Sequence, residues 1–188
     1  ELCSARGTVL VFDEIKTAFR VEAGGIGAAR GVTPDLTVVG KALGNGFPIA
    51  ALLGPDELMS ALERTWVSST LATEFLSLAA ARAVLETFER EGVAHHLARV
   101  GERFFSGLKR LGARHETLVE AVPGIPQMCS ISFKSDRVSV LVARKAAQRG
   151  VLFKRSPYNF VSLAHDAEVV DAVLERLAEV LEEVEREC

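Results

Sequence analysis

No apolar run in this 188-residue sequence approaches the roughly twenty residues a helix needs to cross a bilayer. Charge of one sign is not in excess either, since 22 Lys+Arg against 25 Asp+Glu leave a formal net charge of -3. With no Lys/Arg cluster, nucleic acid is not an expected partner. Cysteine is scarce: Cys3, Cys129 and Cys188 are scattered, odd in number and without metal-ligand spacing. They read as three reduced thiols in a cytoplasmic protein. His95 and His96 are adjacent while His115 and His165 stand alone, so no zinc pattern forms. There is no internal repeat and no low-complexity segment. An initiator methionine is also missing. Glu1-Leu2-Cys3-Ser4-Ala5 reads like the tail of a helix already under way, so we expect a piece of a longer chain, whose missing front would hide any signal peptide.

What is there is a core-forming composition, 48% hydrophobic, in a length that suits one ordinary domain or two small lobes. Residues 8–12 (TVLVF) form a continuous apolar, β-branched run, as expected of a strand buried on both faces. A second such run, 36–39, ends just before Lys41, and a third covers 49–53. About twenty residues between the first two allow a parallel crossover, whereas the short link to the third requires a reversed strand. The loop lengths alone therefore predict a mostly parallel sheet with one antiparallel member. Helices are predicted over 56–65, over 74–90 (EFLSLAAARAVLETFER, apolar on most faces and expected to be buried) and over 93–111. After Pro123-Gly124-Ile125-Pro126 the pattern becomes a small α+β lobe. It has a strand at 128–133, a helix at 138–149 capped by Gly150, short strands at 151–153 and 159–163, and a last helix over 166–185. Gly25-Ile26-Gly27-Ala28-Ala29-Arg30-Gly31 imitates a dinucleotide fingerprint, but no strand leads directly into it and its last glycine comes one place late. We expect a flexible loop there.

Chemistry concentrates at two strand ends. Asp13 closes the first strand and Lys41 follows the second, which brings both to one edge of the sheet, where ligands gather in α/β folds. Taken alone, the two read as a plain ion pair. The surrounding stretches, VFDEIKTAFR at 11–20 and GVTPDLTVVGKALGNGFPIAALLG at 31–54, strongly resemble the class III aminotransferases. These are fold-type-I enzymes that use pyridoxal 5'-phosphate, and the branch most similar is that of the glutamate-1-semialdehyde aminomutases. NFVSLAHDAEVVDAVLERL at 159–177 resembles the family's end, where Ser-Leu-Ala-His precedes the final helix, with Asp166 as its N-cap and His165 structural.

The resemblance implies the following roles. Asp13 matches the aspartate that pairs with the protonated pyridine nitrogen, keeping the ring an electron sink. Ile15 matches the branched residue packed flat on the ring. Lys41 matches the lysine that forms the internal aldimine and then shuttles a proton, its pKa lowered by burial and nearby cations. Lys16 is the rival lysine but falls where relatives carry glutamine or an apolar residue. In Ser68-Ser69-Thr70, Thr70 matches the threonine whose hydroxyl reaches the cofactor phosphate of the neighbouring subunit, which implies a homodimer with shared sites; the cluster also reads as a helix cap. Thr73-Glu74-Phe75 departs from the Gly-Asn-Pro of many relatives. The implied layout is residues 1–92 in the C-terminal part of the cofactor-binding large domain, with the mostly parallel sheet, and 93–188 in a small C-terminal α+β domain. The implied activity is transamination from a small-molecule amino donor to an oxo acceptor. An intramolecular aminomutase is the alternative, but Arg155-Ser156-Pro157-Tyr158-Asn159 lacks the acid those enzymes carry before Ser-Leu-Ala-His. A cofactor-free scaffold is the second alternative, disfavoured by the presence of both Asp13 and Lys41. Arg20 and Arg155 are unranked candidates for a substrate carboxylate.

Overall fold

The computed structural model describes residues 1–66, 70–71, 74–155 and 157–188. Ser68, Ser69, Thr73 and Ser156 lie outside the described residues. The chain divides into two compact units, Glu1–Ala94 and His95–Cys188.

The first unit opens with a short helix, α1 (Leu2–Arg6), closed by Gly7 in the left-handed region. Strand β1 (Val11–Asp13), the six-residue helix α2 (Gly25–Arg30) and strand β2 (Leu36–Val39) form a crossover, and β1 pairs with β2 in parallel. A 3-10 turn, Lys41–Leu43, then reverses the chain into β3 (Ala51–Leu53), antiparallel to β2. The sheet order β1-β2-β3 agrees with the topology that the loop lengths require. Gly44 makes the reversal sterically possible. A Cβ there would lie 2.5 Å from the Phe47 carbonyl oxygen and 2.6 Å from Ile49 Cγ2. Helix α3 (Asp56–Met59) tightens into a 3-10 segment (Ser60–Arg64), where one continuous helix over 56–65 was expected. Helix α4 (Phe75–Arg90) is capped by Glu74, whose carboxylate accepts from the Leu76 and Ser77 amides at 2.6 Å each. The helix start is thus secured by the side chain of Glu74 itself. Ala81 of α4 packs with Ala18, Val39 and Leu43 in the unit's core, and Phe19 meets Phe88 edge-on.

Three expectations for this unit need correction. Residues 25–30 form α2 instead of a flexible loop, for a reason given below. Strand β1 is open to solvent at Val11 (50% exposed). Helix α4 buries only Ser77 and Ala81, while Phe75 and Leu76 are 80% and 69% exposed. Small residues on one face meet the sheet, and among the described residues nothing covers the larger apolar ones on the other.

In the second unit, α5 (Val93–Arg114) buries Leu97, Val100, Phe104, Phe105 and Leu108, the helical spacing expected of an amphipathic segment. Two small antiparallel sheets follow. One pairs β4 (Val119–Ala121) with β7 (Ser132–Phe133); the other runs β5 (Gly124–Ile125), β6 (Met128–Cys129), β8 (Asn159–Phe160). The single strand expected at 128–133 is therefore split between sheets, and residues 151–153 are irregular. Helix α6 (Asp136–Gln148) packs on α7 (Ala167–Glu187) through Val138 and Val142 against Val180, Leu181 and Val184. On the same helix pair, Lys145 Nζ reaches Glu183 at 2.6 Å and Glu187 at 2.8 Å. Asp166 caps α7 by accepting from the Val169 amide at 2.8 Å. Among the described residues no helix is long and apolar enough to cross a membrane, and no cluster of three potential metal ligands occurs.

Candidate active site

The parallel register sets Asp13 beside Val38, one residue before β2 ends. Lys41 opens the 3-10 turn immediately beyond that end. Both functional groups thus sit where two adjoining parallel strands terminate at the same edge. They are not an ion pair: among the described residues the Lys41 amine has no hydrogen-bonding or charged partner. One Asp13 oxygen accepts the Ile15 amide at 3.1 Å, which turns the carboxylate toward its own following backbone. Ile15 itself is half-buried, and its Cγ2 lies 3.6 Å from where a Cβ on Gly40 would stand. Ile15 thus lies close to Gly40, the residue between β2 and Lys41. Lys16 is exposed in the turn that follows β1, not at the end of β2.

Lys41 has φ +43, in the left-handed region that non-glycine residues seldom adopt. Its carbonyl accepts from the Gly44 and Asn45 amides at 3.1 and 3.0 Å, which closes the turn around it. Strain of this kind collects where a side chain must be aimed. In this chain both Lys41 and Asp13 are exposed, contrary to the expected burial of the lysine, because the three-stranded sheet leaves its edge and faces open here.

Glu14 is the residue that sequence reasoning missed. It is 3% exposed. Its carboxylate accepts the Thr17 hydroxyl through a short hydrogen bond, the Ile26 amide at 2.9 Å and the Gly27 amide at 2.7 Å. Burial alone would raise this carboxyl, but the three donors outweigh it and hold it below the ordinary glutamate value. Here lies the reason for α2 and for the false fingerprint: the Gly-rich turn presents its amides to an anion, and that anion is the chain's own glutamate. A Cβ on Gly25, at φ +75, would fall 2.1 Å from Glu14 Oε2. The signal available in the sequence was a second acid directly after Asp13, matched by a Gly-x-Gly turn with no phosphate to bind.

Thr70 is an exposed turn residue. Close to it in sequence stand Trp66, 92% exposed, and Phe75. Burial lowers the half-buried Arg20 guanidinium from its ordinary value, whereas Arg155 pairs with Asp136 at 3.0 Å in the second unit. The His165 Nδ1 accepts the Ser162 amide at 2.9 Å and its carbonyl meets His96 Nε2 at 2.8 Å, so it serves the turn before α7.

The model of the aminotransferase class-III family matches residues 1–184. The chain belongs to the class III aminotransferases. It is 36% identical over 182 residues to a 2'-deamino-2'-hydroxyneamine transaminase of Streptomyces kanamyceticus, over 96% of this chain and 46% of that protein. A 3-aminobutyryl-CoA aminotransferase of Cloacimonas acidaminovorans is 34% identical over 197 residues, with the same two coverages. Among solved structures, the FumI protein of Sphingopyxis sp. MTA144, described in its PLP internal aldimine form, superposes with a TM-score of 0.89. Its identity is 28%, over 99% of this chain and 45% of that one. The chain spans about half the length of the curated relatives it matches. In this class III aminotransferase chain, the acid, the branched apolar side chain and the unpartnered amine all lie at the ends of two adjoining parallel strands.

Proposed function

We propose that the protein of which this chain forms part is a pyridoxal-phosphate-dependent aminotransferase, and that Lys41 is its catalytic residue. The observation that carries the reading is the Lys41 amine, unpartnered among the described residues and borne on a strained turn at the strand edge that also carries Asp13. When bound, pyridoxal phosphate supplies an electron sink that stabilises the carbanion left when a Cα–H bond breaks. Asp13 would keep the ring nitrogen protonated, and Ile15 would pack against the ring. The Lys41 amine would hold the cofactor's aldehyde and, once freed from it, would serve as the base that takes the proton from the substrate's Cα. Residues 1–92 contribute the lysine and the acid, and residues 93–188 form the small domain.

Thr70 donates its hydroxyl to the cofactor phosphate of a partner subunit in a homodimer. The exposed Trp66 and Phe75 near Thr70 support an interface in that segment. The substrates are a small-molecule amino donor and an oxo acceptor. Transamination is favoured over the aminomutase by the missing acid before Ser162 and by the names of the relatives at 36% and 34% identity. Three unpaired cysteines support a cytoplasmic location.

The test uses the full-length protein loaded with pyridoxal phosphate. Borohydride treatment followed by peptide mass mapping should find the cofactor's mass on the peptide containing Lys41, and Lys41→Ala should abolish both the label and the visible absorbance. A label on the Lys16 peptide, or a colourless protein that ignores added cofactor, sinks the reading.

A further inference from the structure

Asp13 and Ile15, the two groups read as touching the ring, are separated by one residue, and that residue is the most heavily anchored of the strand end. The Glu14 amide donates to the Val38 carbonyl at 2.9 Å, continuing the β1–β2 ladder. Its carbonyl accepts the Thr17 and Ala18 amides at 3.1 and 2.9 Å, so the chain leaves the strand by a tight turn. Its side chain, turned inward, takes three donors from Thr17, Ile26 and Gly27. Glu14 directly follows the last residue of β1, and its anchored side chain and the turn at 15–17 fix the backbone on both sides of it. The Asp13 carboxylate is then oriented by the amide of Ile15, a peptide within the turn Glu14 anchors.

We propose that Glu14 is a positioning residue for the cofactor site. Its buried carboxylate, locked into the Gly25–Gly27 turn, sets the backbone angle at which Asp13 presents its charge to the ring nitrogen. A Cβ at Gly25 would strike the Glu14 carboxylate, so only glycine lets it sit there. This inference rests on the reading of Asp13 and Lys41 given above.

Its test is made on the full-length protein loaded with pyridoxal phosphate, using Glu14→Gln, Asp13→Asn and the double variant. Three quantities are read: the cofactor dissociation constant, the pH titration of the cofactor's visible absorbance, and the melting temperature of the cofactor-stripped protein. Glu14→Gln keeps the shape but replaces one accepting oxygen with a donor facing other donors. It should weaken cofactor binding roughly tenfold, the loss expected when one charge-assisted hydrogen bond is spoiled. It should also move the absorbance titration in the same direction as Asp13→Asn. In the double variant the two effects should not add, since one acts through the other. Thr17→Val removes a single donor and provides a milder version should Glu14→Gln fold poorly; a smaller change of the same sign is expected. A purely structural Glu14 would lower the melting temperature in both variants with affinity and titration unmoved, and that result overturns the proposal while leaving the Asp13 reading intact. If Asp13→Asn itself changes neither affinity nor titration, the underlying reading fails and this inference falls with it.

Discussion

Replacing Lys41 with glycine should leave a more stable protein than replacing it with alanine, although both replacements remove the same amine. The lysine holds φ +43 with an exposed, unpartnered side chain. Deleting such a side chain changes stability by no more than about 0.5 kcal/mol. The backbone is what differs. A residue with a Cβ in the left-handed region carries about 1–2 kcal/mol of strain, which alanine keeps and glycine relieves. Glycine gives back about 0.5–1 kcal/mol through the greater freedom of its unfolded chain. The difference leaves Lys41→Gly ahead of Lys41→Ala by about 0.5–1 kcal/mol. The assay is urea unfolding of the cofactor-stripped full-length variants, where the midpoints should separate by roughly 0.3–0.5 M for a slope of about 2 kcal/mol per molar. If the alanine variant proves as stable as the glycine variant, the turn is not strained, and the backbone argument for an aimed lysine is wrong.

Gly25→Ala and Gly31→Ala form a second matched pair. Both glycines have positive φ, but a Cβ at Gly31 meets nothing within 4 Å, whereas one at Gly25 strikes the Glu14 carboxylate. Gly31→Ala should cost about 1 kcal/mol and Gly25→Ala about 2 kcal/mol more, measured by denaturant midpoint; equal costs would show that the carboxylate is not held there. Leu181 is 1% exposed in the core of the second unit, so Leu181→Ala should lose about 2–5 kcal/mol by calorimetry, and a loss under about 1 kcal/mol would mean that the α6–α7 core is loosely packed. The Glu14 carboxyl has a lowered value in the folded protein. Its contribution is therefore fully present above the ordinary glutamate range and disappears as pH falls through the lowered folded value. Acid unfolding of Glu14→Gln should accordingly be less steep there than that of the parent, and superimposable curves would contradict the hydrogen-bonding pattern.

Much of the architecture was legible before any coordinates. The parallel β1–β2 pair and the reversed β3 followed from the lengths of their connections, because closing a parallel crossover needs many residues and a reversal needs few. Both long helices of the second unit follow their apolar periodicity, the N-cap at Asp166 stands where the sequence puts it, and Gly150 takes its positive φ one residue after Arg149, the C-cap of α6. Lys41 and Asp13 were singled out by motif, and β-sheet register brings them to one edge. Tertiary structure decided what local pattern does not encode. Residues 128–133 read as one strand, yet β6 and β7 join different sheets, since pairing partners are chosen by distant segments. The exposure of α4's larger apolar residues depends on what packs against them, and composition is silent on that. The role of Glu14 depends on two amides more than ten residues away, and the angle of Lys41 on a turn that only the folded backbone reveals. Local chemistry chose the elements and marked the acid and the amine; long-range contacts chose which groups were buried, which were anchored and which were left exposed.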